Sequence, residues 1–326
     1  MRLATILPEG SSKPLAVVSV DAQNWVSLHA FLSFFATKDL PASADAPLSH
    51  FLPILMPRFS EFTRKVSDWP EHGRIFQQRG GKSLRAHRFL PPILRPPSFR
   101  DFDAFEQHAR TVRARRGVEM LQSWYEIPVF YFSNPNSLIG NGAEVCAPIH
   151  CAELDYELEL GVVIGNRARN IRPENAWNHV AGFTIINDFS ARDLQREEMA
   201  VGLGSAKGKD FATAVGPILV TRDELADKFD HERISLAMRA SVNGKELSRG
   251  NSSTVFHTFP RMIAQASRDA DLFPGDLIGS GTVGMGCILE LSPEATGGWL
   301  KTGDVVELEI ERLGKLRTNI SARPAG

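Results

Sequence analysis

Cysteine is scarce in this 326-residue chain. There are three, Cys146, Cys151 and Cys287, an odd number with no C-x-x-C spacing. That usage argues against both a disulfide framework and a zinc site, and it fits a reducing, cytoplasmic setting. Net charge is scarce too: 37 basic residues face 38 acidic ones, for a formal charge of -1. No global field attracts nucleic acid or an anionic membrane, so neither partner is expected. Long apolar runs are also missing. The longest near the front, residues 26–36, contains His29 and two serines and is too short to cross a bilayer. Residues 1–10 are too weakly apolar to read as a signal peptide. No internal repeat is present.

What remains is an ordinary globular composition, 43% hydrophobic and 23% charged. Residues 2–7 and 15–20 read as strands around a turn. Residues 25–36 and 59–69 read as helices. Residues 91–97 hold four prolines in seven positions, a stiff connection and a domain boundary. Beyond it the pattern is rich in strands: 154–164, 180–186, 214–220, 234–242, 276–278, 287–291 and 305–310. Helices are expected at 99–116, 190–199 and 258–268, and Asn243-Gly244 signals a type I′ hairpin. The order does not alternate strand and helix, which excludes a doubly wound parallel sheet. The expected fold is α+β and predominantly β: a small α+β unit (1–90), the linker (91–97) and a mixed-sheet domain (98–326).

Two glycine-rich segments fail as nucleotide motifs. Gly202 lies one residue too far from Lys209 for a phosphate loop, and Asp210 stands where Ser or Thr is required. The pattern Gly279-Ser280-Gly281-Thr282-Val283-Gly284 leads into a strand-like stretch rather than a helix.

The most informative segment is 153–165. On one strand, Glu153, Asp155, Glu157 and Glu159 share a face, about 6–7 Å apart. A solvated acidic face is one reading. The apolar continuation Val162-Val163-Ile164 supports another, in which carboxylates near a core are neutralised by a hard divalent cation. Asp188 closes the apolar run 182–186 and is either a turn residue or a further ligand. In the next helix Ser190 and Asp193 resemble a capping box, and Arg192 and Gln195 share a face. Those two read either as surface residues or as groups that grip a carboxylate and stabilise an oxyanion. On a helix over 99–116, Asp101 and His108 lie two turns apart beside an apolar stripe. His108 is then a core histidine or a general base, and Asp101 a helix-end residue or more.

Together these segments resemble the fumarylacetoacetate hydrolase family. Glu157 and Glu159 are similar to its metal-binding E-x-E strand. Asn187-Asp188-Phe189-Ser190-Ala191-Arg192-Asp193-Leu194-Gln195 is similar to its N-D-W-S-A-R-D-I-Q segment. Gly208-Lys209, Gly275-Asp276, Ser280-Gly281-Thr282 and Leu289-Glu290-Leu291 match later parts, in order, over roughly residues 98–320. Asp101-Phe102 with Gln107-His108-Ala109 resembles the members that carry a catalytic histidine.

The resemblance implies a mixed-sheet sandwich or roll and a metal site of Asp101, Glu157, Glu159 and Asp188. The cation would be magnesium or calcium, with manganese as a third candidate. His108 would be the base, oriented by Glu290, with Arg192, Gln195 and Lys209 acting on developing charge. Tyr131 and Thr282 would bind substrate. It also implies a homodimer and a small oxo-acid substrate.

The expected reaction is hydrolysis of a C–C bond in a fumarylacetoacetate-like β-diketone acid, giving fumarate and acetoacetate in aromatic-compound catabolism. Acylpyruvate or fumarylpyruvate hydrolysis and oxaloacetate-type decarboxylation are the alternatives. A non-catalytic cation- or ligand-binding protein is a third. Departures from the family fall at Met199 (a substrate tyrosine elsewhere), at Gly117 (a substrate arginine) and at Phe132-Ser133-Asn134 (a His-Gly-Arg).

Overall fold

The structure is a computed structural model that describes residues 1–20 and 24–323. Its strands form a twelve-stranded mixed sheet and a five-stranded sheet, with two small two-stranded ribbons. In the large sheet the central strands run side by side in the order Arg2–Pro8, Thr213–Thr221, Val180–Asp188, Leu158–Ile164, Leu277–Gly279, Phe99–Phe102 and Phe130–Ser133. The front of the chain joins this sheet directly, Leu3 pairing with Leu219. Residues 91–97 hold no regular element.

Strand Leu158–Ile164 is buried along its whole length. Leu158, Leu160, Val162 and Ile164 face the five-stranded sheet, in one core with Met238, Ala240, Leu308 and Ile310. Val163 faces the other way, into a core with Phe31, Phe51, Leu52 and Phe62 of the front helices. Period-2 alternation therefore feeds two cores from one strand. Glu159 shares the face of Val163, so a carboxylate is carried below the surface by the register of its apolar neighbours.

Several elements differ from the expectation, each for a tertiary reason. Residues 25–27 are a strand paired with Leu15–Ser19, and the helix is only Leu28–Phe34. Residues 99–102 are a strand, clamped between Leu277–Gly279 and Phe130–Ser133, and the helix begins at Glu106. Asp101 and His108 thus sit on different elements rather than two turns apart on one helix. The acidic strand breaks at Tyr156-Glu157. Its first half, Leu154–Asp155, pairs instead with Ser190–Ala191. That pairing makes Ser190 a strand residue. The following helix, Arg192–Val201, has Ala191 at its N-cap with no side-chain bond, so no capping box forms. Asp193 instead accepts from the Ala152 N–H at 2.6 Å.

The segment 287–291, expected as a strand, is a short helix, Ile288–Leu291. Asp155 accounts for it. Its carboxylate accepts from the backbone N–H groups of Ile288 and Leu289 at 2.8 and 3.1 Å, meeting the orphan donors of the first turn. Asn243-Gly244 forms the expected hairpin turn, both residues at positive φ (53° and 80°). The three cysteines are free. Among the described residues, no helix is long and apolar enough to cross a membrane.

Candidate active site

The sequence predicts four acids on one strand face, and the structure sends them three ways. Glu153 lies at the surface with Arg196, at 2.9 Å. Asp155 is buried and accepts from Arg192 Nε at 2.9 Å, besides the two helix N–H groups. Glu157 and Glu159 alone line a cavity of about 330 Å³. Asp101, His108, Arg192 and Lys209 share that cavity wall, as do Tyr131, Gln195 and Thr282. Asp188 sits behind Lys209 and Tyr131, and Glu290 behind His108.

The cations in this site are shared between acids. Arg192 Nη2 meets Glu157 Oε1 at 2.8 Å, and Arg192 Nη1 donates to Gln195 Oε1 at 3.1 Å. Lys209 Nζ lies 2.5 Å from Glu157 Oε2 and 2.6 Å from Asp188 Oδ2. Asp188 also accepts from Tyr131 Oη at 2.5 Å and from Thr213 Oγ1 at 2.9 Å. Tyr131 reaches Asp101 Oδ2 at 3.3 Å, so it bridges two carboxylates. Burial opposes ionisation of Glu157, but Lys209 and Arg192 outweigh it and hold its pKa well below the usual range.

Two buried carboxylate oxygens at this cavity find no hydrogen-bond partner among the described residues: Asp101 Oδ1 and Glu159 Oε2. They converge over Gly279, which lies between their strands. A Cβ added there would stand 2.3 Å from Asp101 Oδ1 and 3.0 Å from Glu159 Oε2. Burial, then the Asp188 charge, pushes the Asp101 carboxyl up to about 8. Burial and Asp101 raise Glu159 well above its ordinary value. A cluster of this kind is costly without a cation. The donors are all oxygen, and two of them are free and adjacent. Asp101 and Glu159, with Glu157 and Asp188 beside them, therefore fit a hard divalent cation.

A second group centres on His108. His108 Nδ1 lies 2.8 Å from Glu290 Oε2. Glu290 is fixed in turn by the N–H groups of Met285 and Gly286, at 3.0 and 3.2 Å. Burial works against a charged His108, yet Glu290 outweighs it and raises the imidazole pKa above its ordinary value. The Cys287 thiol stands 3.6 Å from Glu290 Oε2. Among the described residues, it is this trio, His108, Cys287 and Glu290, whose ligand atoms all lie within 4.8 Å of one another. Burial drives the Cys287 pKa well up.

Residues 98–321 match the family described as "Fumarylacetoacetate (FAA) hydrolase C-terminal". The chain belongs to this family. It is 38% identical over 197 residues to the 2,4-didehydro-3-deoxy-L-rhamnonate hydrolase of Sphingomonas sp. (strain SKA58), covering 60% of this chain and 65% of that one. It is 37% identical over 190 residues to the mitochondrial oxaloacetate tautomerase FAHD2A of Homo sapiens, covering 57% of each. The match thus spans about three fifths of these curated relatives. Among solved structures, the maleylpyruvate hydrolase of Sphingobium sp. SYK-6, in complex with manganese(II) and pyruvate, superposes with a TM-score of 0.66. That alignment covers 98% of this chain and 99% of the other at 20% identity, a likeness of fold.

Of the positions at which the sequence departs from the family pattern it resembles, Met199 lines the cavity, Phe132 is 67% exposed, and Gly117 is exposed. Asp103 and Arg113 also line the cavity and were not anticipated; Arg116, next to the Gly117 departure, lines it too. Asp103 Oδ2 accepts from the Trp124 indole at 3.0 Å. Asp103 carries a sequence signal, an acid two residues beyond Asp101. The arginines belong to the run 113–116, which reads as an ordinary solvated helix end.

Proposed function

We propose that the chain is a metal-dependent hydrolase of a C–C bond in a 2,4-dioxo acid of the acylpyruvate class. The observation that carries the reading is that one small cavity holds both an oriented imidazole and a set of buried carboxylates with free oxygens. The Sphingomonas relative adds weight, because its name denotes carbonyls flanking a methylene in a sugar acid. Fumarylacetoacetate itself is the less favoured substrate. The polar positions that the family resemblance reserves for its far end are Met199 and Gly117 here, and Phe132 points to solvent.

A divalent cation held by Asp101, Glu157, Glu159 and Asp188 would supply Lewis-acid polarisation of the oxo-acid oxygens. Magnesium, calcium and manganese all suit the donors, and the manganese of the Sphingobium enzyme makes manganese the first to try. Glu290 is ionised and can only accept, so the His108 proton sits on Nδ1 and Nε2 is the free base. Nε2 takes a proton from water, and the hydroxide attacks the C4 carbonyl. Arg192, Gln195 and Lys209 face the cavity as donors to the oxyanion that forms. The C3–C4 bond then breaks, its electron pair passing to C3 of the departing enolate. The proton held by His108 returns to that carbon. The products are a 2-oxo acid and a carboxylic acid, and water, proton and electron pair balance.

The test is a substrate panel with manganese present: acetylpyruvate, fumarylpyruvate, fumarylacetoacetate and oxaloacetate. Pyruvate release from the first two is the expected result. The human relative motivates a second reading, in which the same base only moves a proton between the keto and enol forms of oxaloacetate. Enol decay without C–C cleavage on any dioxo acid would favour that reading.

A further inference from the structure

Lys209 is a buried cation of the cavity wall that bridges two acids. Its side chain is 5% exposed. Its ammonium contacts Glu157 Oε2 and Asp188 Oδ2 at 2.5 and 2.6 Å. The other oxygens of those two acids are taken as well: Glu157 Oε1 by Arg192 and Asp188 Oδ1 by Thr213. Asp101 Oδ1 and Glu159 Oε2 are buried with no hydrogen-bond partner among the described residues. A hard divalent cation takes six or more oxygen ligands, some of them water, so Glu157 and Asp188 are needed beside these two acids. A cation drawn to Glu157 and Asp188 meets like charge in the proton donors already on them, and binding is favoured if one of these donors withdraws. Arg192 is a poor candidate to leave. Its guanidinium also holds Asp155 and Gln195. Lys209 is the better one, a point charge on a flexible stem that already lines the cavity.

We propose that Lys209 is an exchangeable counter-cation. In the metal-free site it keeps Glu157 and Asp188 paired. When a divalent cation binds, it gives up at least one of them, and its ammonium is then free for an anionic group in the cavity. The inference rests on the reading that the carboxylates hold a cation. It adds that metal loading and anion binding are coupled through one side chain.

The test is manganese binding to the full chain at pH 8, measured by calorimetry for wild type, Lys209→Met and Lys209→Arg. Removing the competitor should tighten binding about tenfold in Lys209→Met, with Lys209→Arg close to wild type. Metal-free Lys209→Met should melt below metal-free wild type, and manganese should close the gap. Unchanged or weaker binding by Lys209→Met overturns the proposal.

Should that variant fail to fold without metal, wild type answers alone. Reductive methylation of Lys209, followed by mass spectrometry, should speed up severalfold when manganese is added. A rate that stays level or falls overturns the proposal. Wild type that binds no manganese overturns it together with the metal reading. The expected affinity pattern with no turnover of any dioxo acid leaves it standing and removes only the hydrolase reading.

Discussion

His108 and Glu290, 182 residues apart in sequence, meet at 2.8 Å with the imidazole Nδ1 on the carboxylate. The contact fixes the tautomer and leaves Nε2 toward the cavity. His108→Ala should lower kcat by about 10²- to 10⁴-fold, the usual worth of a positioned base. Manganese affinity should stay within about threefold of wild type, since the histidine is outside the carboxylate set. Steady-state kinetics and calorimetry on the same preparation check both halves.

The same pair sets a pH limb. Glu290 raises the His108 pKa above its ordinary value. The working base is the neutral imidazole, so kcat should climb as pH rises through that raised pKa. Glu290→Gln removes the negative charge, and the limb should move to lower pH while the plateau falls. A pH–rate profile of the variant reads the direction. A limb that moves upward or stays in place would break the assignment.

Metal uptake should release protons. Burial holds the Asp101 carboxyl at about 8 and Glu159 well above its ordinary value, so at pH 7 the metal-free site retains protons that a cation must displace. Manganese affinity should therefore rise with pH between about 6 and 8. Calorimetry in buffers of different ionisation enthalpy counts the protons. Equal heats in all buffers would contradict the expectation.

Gly279 is required for space rather than for turning. A Cβ there would stand 2.3 Å from Asp101 Oδ1 and 3.0 Å from Glu159 Oε2. Gly279→Ala should leave a folded chain by circular dichroism and weaken manganese binding by about tenfold or more. Retained affinity would mean that those two oxygens are not ligands.

Arg192 ties Asp155, Glu157 and Gln195 together below the surface. Arg192→Ala would strand two buried carboxylates and should cost about 3–5 kcal/mol in urea unfolding. Arg192→Lys keeps the charge but not the fork, so it should recover only part of that loss.

Much of this was readable in the sequence because its signals are local. The carboxylates, the Arg192–Gln195 spacing and Lys209 all fall in short stretches whose order matched the family. The apolar continuation Val162-Val163-Ile164 also pointed the carboxylates of that strand toward a core. The errors share one physical origin: a partner distant in sequence chose the conformation. Residues 99–102 became a strand because two neighbouring strands clamp them. Ile288–Leu291 became a helix because Asp155 meets its first-turn donors. The acidic strand broke because Leu154–Asp155 found Ser190–Ala191. Asp155 therefore reads as a fourth acid on one face, when its structural part is to hold Arg192 and a helix end.

The central claim is that Asp101, Glu157, Glu159 and Asp188 form one cation site. The most direct measurement is anomalous diffraction at the manganese edge from crystals soaked in manganese(II). A single peak within about 2.5 Å of Asp101 and Glu159 oxygens is the predicted result. A peak on His108, Cys287 and Glu290, or none at saturating manganese, would contradict the account.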